Sequence, residues 1–280
     1  MPLEVNHMDY SNLMKAIEIR CSRRNFHGKA IDPTILLKLK EIAAECSASN
    51  GIRLELVTNN GKAFSRFTKS YGMFSGVNDY VCLIADNRDI TATERLGYYG
   101  ELFVLHATNL GLSTCWVGGS FDRNTMPVKL SENETIVCAI LVGSTNEKRG
   151  FREKLIHSIT HRKTKTAEDM FVSDSTVPDW FMQGLEAVQK APSAVNRQPV
   201  MFSYKNNKVS ASIKNMNNIM QVLDFGIAKL HFEIGASGGE WAWGNGGEFV
   251  HRKHLLATRC HEDTLLLGSA KQQFEPPGIS

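Results

Sequence analysis

The 280-residue sequence predicts an α+β fold arranged as two tandem halves, and three observations carry that expectation. Composition is the first: 42% of residues are hydrophobic and 22% charged, enough to bury a large core, and the length approaches two domains of roughly 150 residues each. The second is order along the chain, where segments of helical period alternate with short apolar runs up to Gly143. The third is a weak internal repeat. Shifting the sequence by 146 positions lays Ile35, Leu36, Leu39 and Ile42 on Phe181, Met182, Leu185 and Val188, and Ser47, Ala48 and Asn50 on Ser193, Ala194 and Asn196.

Taken in order, Tyr10 to Arg20 reads as a helix with Leu13, Ala16, Ile17 and Arg20 on one side. A second helix opens at Asp32-Pro33, a capping residue followed by proline in the first turn. Arg53–Thr58, Asp79–Ala85 and Thr135–Gly143 read as strands, the last two too continuously apolar to have a wet face. Glu94–Leu110 reads as a long apolar helix stopped by Gly111. These elements set the first half at residues 8–150. The second pattern begins at Thr176-Val177-Pro178 and includes a helix over Asp224–Gly235, which sets a shorter half at 176–245. The remainder, 246–280, has little periodicity and is expected to be a loosely ordered tail.

Composition also narrows the function class. The longest unbroken apolar run, Ile136–Val142, has seven residues, against the roughly 20 needed to span a bilayer. With no signal-peptide pattern in Met-Pro-Leu-Glu-Val-Asn, the expectation is a soluble cytoplasmic protein without a membrane partner. The six cysteines are widely spaced with no C-x-x-C pair, as for buried free thiols. Net charge is only +3, with a local surplus of five positive charges between Glu147 and Lys165 that leaves −2 for the rest. That stretch has no interleaved aromatic residue beyond Phe151, so it reads as a solvated face or linker, and no nucleic-acid partner is expected. His157 and His161 lie four apart, but without an intervening glutamate or a third ligand no metal is expected.

Three segments can carry chemistry. In Arg20-Cys21-Ser22-Arg23-Arg24 an extended backbone sends alternate side chains to one face, so Arg20, Ser22 and Arg24 can converge on one anion; the other reading is a helix end whose basic residues complement its dipole. The segment Ala191-Pro192-Ser193-Ala194-Val195-Asn196-Arg197-Gln198-Pro199 is held out of helix by two prolines and presents Ser193, Asn196 and Gln198, either as a plain helix-to-strand turn or as a polar cradle for a planar heterocycle. The third, Gly111 to Gly119, ends in the pair Gly118-Gly119, which allows close backbone approach to a ligand or simply marks a turn.

Together these segments resemble the flavin-dependent nitroreductase family, whose motifs stand here as Arg20-x-Ser22-x-Arg24-x-Phe26, Ala191-Pro192-Ser193-Ala194-x-Asn196-x-Gln198-Pro199, and Gly111-Leu112-Ser113 to Gly118-Gly119. The proline turn is displaced: the family carries it about 20 residues after the arginine motif, and here it is complete only in the second half. Family members are usually homodimers with FMN at the interface, built from the arginine and glycine motifs of one subunit and the turn of the other. The resemblance therefore implies a nitroreductase-like fold in which two tandem α+β halves mimic that homodimer, with one FMN site kept and the other lost. At the 146-residue shift Arg20, Ser22 and Arg24 fall on Thr166, Glu168 and Met170, which cannot hold a phosphate.

The implied cofactor site comprises Arg20, Cys21, Ser22, Arg24, Gly118, Gly119, Arg152, Lys154, Pro192, Ser193 and Asn196. The chemistry belongs to FMN, so no protein nucleophile or acid–base residue is required. The implied activity is an oxidoreductase passing electrons from NAD(P)H through FMN to a small organic acceptor of nitroaromatic or quinone type, by ping-pong kinetics. NAD(P)H is expected to bind transiently, since no G-x-G-x-x-G opens a strand-turn-helix unit. The alternative is a non-catalytic flavin-binding sensor or store. Internal pairing of the halves implies a monomer.

Overall fold

The computed structural model describes residues 8–48, 50–65, 73–146 and 163–252. In chain order the elements are α1 (Tyr10–Ile19), α2 (Pro33–Ser47), β1 (Ile52–Val57), α3 (Lys62–Ser65), β2 (Asp79–Asp86), α4 (Ile90–Asn109), β3 (Ser113–Val117), β4 (Glu134–Gly143), β5 (Phe171–Ser173), α5 (Asp179–Gln189), β6 (Met201–Lys205), β7 (Lys208–Ser212), α6 (Ile219–Gly235), β8 (Gly239–Trp241) and β9 (Glu248–His251). Short polar side chains open the helices: Asp9, Asp32, Asp89 and Asn218 each accept hydrogen bonds from first-turn N–H groups of α1, α2, α4 and α6. Helices α4 and α6 start a full turn before the expected Glu94 and Asp224, because each is opened by its cap rather than by the apolar period that follows.

Strands β1, β2, β4 and β3 form, in that order, an antiparallel sheet with β3 at one edge. Both its faces are covered, which explains the continuous apolar runs of β2 and β4. One face packs with α1, α2 and α4 in the main core, and the other holds Phe64, Tyr80, Cys82, Phe121 and Leu141 in a second cluster. A second sheet has five strands in the order β5-β6-β7-β9-β8, of which β9 is the last along the chain. Its last member corrects the expectation of a loose tail from residue 246: Phe249 and His251 of β9 are buried, and Phe249 packs on Trp241 and Phe232. Aromatic packing, which helical or strand periodicity does not register, holds that strand in place. All five described cysteines are free, and four of them are buried. No helix among the described residues is long and apolar enough to cross a membrane.

Helix α4 crosses α6 at close range. Gly97 lies eight residues beyond the cap of α4, and a Cβ there would sit 2.1 Å from the Leu223 carbonyl oxygen. Gly226 lies eight residues beyond the cap of α6, and its Cβ would sit 1.9 Å from the Glu94 carbonyl oxygen. Each opposed carbonyl is the fifth residue after its own cap, so the contact is reciprocal in the manner of an isologous interface.

Buried polar groups join the helices around this crossing. The Lys229 ammonium donates to Glu94 and to the Ala242 carbonyl and lies 4.3 Å from the centroid of the Phe225 ring. Desolvation lowers its pKa, and the Glu94 charge opposes that shift. The Tyr10 and Tyr98 hydroxyls donate to opposite oxygens of the Glu233 carboxylate, at 3.1 and 2.7 Å, tying α1 and α4 to α6. Burial pushes the Glu233 carboxyl up to about 8.

Candidate functional site

The arginine segment runs along the free edge of the first sheet. Ser22 bridges Thr114 of β3 in parallel, and the Arg23 N–H donates to the Thr114 carbonyl at 2.9 Å. That edge holds the chain extended after α1, whose C-cap is Arg20. The expected alternation holds in part: Arg20, Ser22 and Arg24 line one cleft, but so does Cys21. Arg23 is buried and donates to the Asn146 carbonyl at 2.7 Å.

The opposite wall comes from far along the chain. Lys190, Ala191, Pro192, Ser193, Val195 and Asn196, from the turn after α5, line the same cleft, whose volume is about 460 Å3. Small-molecule and cofactor sites typically occupy roughly 300–1,000 Å3. The two walls touch: the Arg20 guanidinium donates to the Lys190 carbonyl at 3.5 Å, and Lys190 pairs with Glu18 of α1.

The turn is strained, with left-handed φ of 47° at Val195, 52° at Asn196 and 45° at Gln198, none of them glycine. Surrounding bonds hold it there. Ser193 Oγ accepts from the Gln198 N–H at 3.0 Å, and the Gln198 side chain accepts from the Lys165 N–H and donates to the Gln189 carbonyl. The Ala194 N–H donates to both oxygens of Asp224, at 3.0 and 3.1 Å. Burial pushes the Asp224 carboxyl up to about 7, partly offset by this hydrogen bond and by the charge of Arg197.

Of the eleven residues expected at the site, Arg20, Cys21, Ser22, Arg24, Gly118, Pro192, Ser193 and Asn196 line this one cleft. Gly119 is exposed and is not among the lining residues, although its neighbours Gly118 and Ser120 are. Arg152 and Lys154 fall outside the described residues, as do His157 and His161. Sequence reasoning missed Phe74, Met73 and Trp116, which also line the cleft. Trp116 had a signal, since it lies within the motif ending at Gly118; the loop carrying Phe74 had none.

Behind the cleft wall is a buried polar group. Arg20 Nε lies at ion-pair distance from Glu101 Oε1, 3.7 Å, but beyond hydrogen-bonding distance, and has no hydrogen-bond partner although its side chain is only 10% exposed. Glu101 accepts from Trp116 Nε1 at 2.8 Å and faces His231 Nε2 at 3.0 Å. A cationic, nine-tenths-buried donor with an unfilled position is suited to binding an anion.

Comparison with known proteins agrees with this architecture. A solved structure titled as a "putative nitroreductase" from Thermotoga maritima superposes with a TM-score of 0.56 at 20% identity, covering 87% of this chain and 94% of that one. A nitroreductase with bound FMN from Desulfitobacterium hafniense matches at a TM-score of 0.42 and 17% identity, over 49% of this chain and 91% of that one. An FMN-dependent nitroreductase from Clostridium difficile matches at 0.40 and 17%, over 55% and 99%. No curated protein matches the chain. The family model described as "Putative TM nitroreductase" matches residues 12–236, most of the described fold and both walls of the cleft, and the chain therefore belongs to the nitroreductase family.

Proposed function

We propose that the chain is an FMN-dependent NAD(P)H oxidoreductase that reduces small organic acceptors of nitroaromatic or quinone type by a ping-pong sequence, with a single FMN in the cleft between two tandem halves. The observation that carries this reading is the meeting of Arg20, Ser22 and Arg24 with Pro192, Ser193 and Asn196 around one cavity of about 460 Å3. The reciprocal Gly97 and Gly226 crossing supports the tandem pairing, since it repeats within one chain the contact a two-fold dimer makes between chains. On that basis a monomer is expected.

The residues fit the cofactor. The unpartnered Nε of Arg20 provides a buried donor for a phosphate, joined by the Ser22 hydroxyl and by Arg24, which binds the phosphate or lies at the pyrimidine edge. Gly118 would offer backbone groups to the flavin, and Pro192, Ser193 and Asn196 would close the site from the opposite wall. Bound FMN would supply the redox chemistry, taking hydride from NAD(P)H in one half-reaction and passing electrons to the acceptor in the other. Arg152 and Lys154 are proposed to reach the phosphate as well.

The purified chain is expected to carry the visible absorbance of oxidised flavin and to bleach when NADH or NADPH is added without oxygen. Flavin that stays oxidised with both donors would favour the sensor or store. Arg20→Ala with Arg24→Ala should abolish flavin retention while leaving the far-ultraviolet circular dichroism unchanged, and a double variant that stays yellow refutes the site.

A further inference from the structure

We propose that Glu101 and His231 form a positioning pair that holds one buried proton and so keeps the charge of Arg20 available to an anion in the cleft. This rests on the reading of the cleft as an FMN phosphate site.

The argument is a count of hydrogens. His231 Nδ1 lies 3.0 Å from the Ala187 carbonyl oxygen, which can only accept, so Nδ1 carries a hydrogen. Glu101 Oε2 accepts from the indole N–H of Trp116, which can only donate. The remaining contact, His231 Nε2 to Glu101 Oε1 at 3.0 Å, needs one hydrogen. With none, two lone pairs would oppose each other where both side chains are 0% exposed. With one on each atom, two hydrogens would collide.

One hydrogen therefore occupies the contact, and on either atom it leaves the pair with zero net charge. That neutrality decides what Arg20 does. Its Nε is 3.7 Å from Glu101 Oε1, and its only hydrogen bond there is the long one to the Lys190 carbonyl. A bare Glu101 carboxylate would set an uncompensated negative charge 3.7 Å from Arg20 Nε and cancel the positive charge of the cleft wall. His231, on α6 of the second half, thus sets the charge of a wall made by the first.

The test compares FMN with riboflavin, which lacks the phosphate, by fluorescence quenching on the full chain. His231→Gln removes the proton while keeping a hydrogen-bonding amide. It should weaken FMN binding by roughly tenfold or more and leave riboflavin binding unchanged. Adding Glu101→Gln to His231→Gln should restore FMN affinity to within about threefold of wild type. Equal FMN affinity in His231→Gln, equal loss of both flavins, or no rescue in the double variant overturns the proposal.

Should His231→Gln fail to fold, Glu101→Gln alone leaves the wall equally neutral and should bind FMN as wild type does; a large loss there overturns the idea too. On the wild-type chain, nitrogen-15 NMR of His231 should show a hydrogen at Nδ1 and a shared, strongly deshielded hydrogen at Nε2. An Nε2 that neither bears a hydrogen nor accepts one from Glu101 overturns the proton count. A wild-type chain that binds no FMN defeats the reading of the cleft instead, and the NMR signal still reports on the proton.

Discussion

The turn after α2 and the turn after α5, which the proposed tandem reading makes counterparts, are held by different chemistry. In the first, Ser47 Oγ accepts from the Leu54 N–H at 2.9 Å, and the Asn50 side chain donates back to the Cys46 carbonyl at 3.0 Å. A glycine, Gly51, takes the left-handed position at φ 62°. In the second, Ser193 likewise accepts from a downstream N–H, but Val195, Asn196 and Gln198 take left-handed conformations and Asn196 lines the cleft.

The anchors differ in sign. Six residues beyond each helix cap, α4 places Arg95, donating to the Asn50 carbonyl at 2.7 Å, and α6 places Asp224, accepting from the Ala194 N–H. Both turns are anchored from outside, but the first puts a glycine in its left-handed position, whereas the second strains non-glycine residues and presents side chains to the cleft. Strain of this kind persists only where surrounding structure enforces it, and it gathers at ligand sites.

The largest expected effect tests the correspondence itself. If the halves are true counterparts, Gly97→Ala and Gly226→Ala should be about equally damaging, because each methyl would collide with a backbone oxygen that cannot swing aside. Each should cost about 3 kcal/mol or more in urea unfolding. A severe loss in one and a mild loss in the other would break the two-fold relation.

The Asp224 and Arg95 anchors should differ next in their response to pH. Burial holds the Asp224 carboxyl at about 7, above its unfolded value of about 3.9. Between these values the folded chain binds more protons than the unfolded chain, so stability falls as pH rises through the window, by up to about 1.4 kcal/mol per unit. Asp224→Asn should lack that slope and be at least as stable as wild type above the window. Urea midpoints at several pH values check this; parallel curves for the two proteins would show that the carboxyl keeps an ordinary pKa. No such slope is expected from the first-half turn, whose anchor is a guanidinium.

This contrast bears on what the sequence could reveal. The strands β2 and β4, the cap at Asp32 and the α2 and α5 faces were legible because each is a local pattern of apolar period or turn chemistry. The segments around Arg20 and Ser193 could be named as chemistry-bearing for the same reason. Their meeting was not local: bringing Arg20 against Lys190 depends on how α4 crosses α6, and only the displaced turn motif hinted at it. Strand β9 was missed because its signal is aromatic packing against Trp241 and Phe232. Glu101 and His231 carried a weaker signal, ionisable residues inside otherwise apolar helices, but nothing in the sequence paired one with the other.

A smaller effect separates the two asparagines. Asn50→Ala removes a bond to the Cys46 carbonyl and one to Tyr99, neither of them at the cleft, and should cost about 1 kcal/mol or more of stability while leaving FMN binding alone. Asn196→Ala should do the reverse, weakening FMN binding by roughly tenfold with little change in stability. Melting curves and FMN titrations on both variants check the exchange; an Asn196 variant with unaltered affinity would take the second-half turn out of the site.

The smallest expected effect asks why the strain is kept. Val195 is 43% exposed, so Val195→Gly removes little packing, and it relieves a β-branched residue at φ 47° that costs roughly 1–2 kcal/mol. Glycine's extra freedom in the unfolded chain offsets roughly 0.5–1 kcal/mol of that gain. The net expectation is stabilisation of at most about 1.5 kcal/mol, a rise in Tm of a few degrees or less. The converse substitution, Gly51→Ala, should cost about 1 kcal/mol, since it forces a side chain into the conformation that the first turn assigns to glycine. If Val195→Gly gains stability and loses FMN affinity, the turn is strained in order to hold the cofactor. A gain in stability at constant affinity would instead make the strain a by-product of the clamps at Gln198 and Asp224.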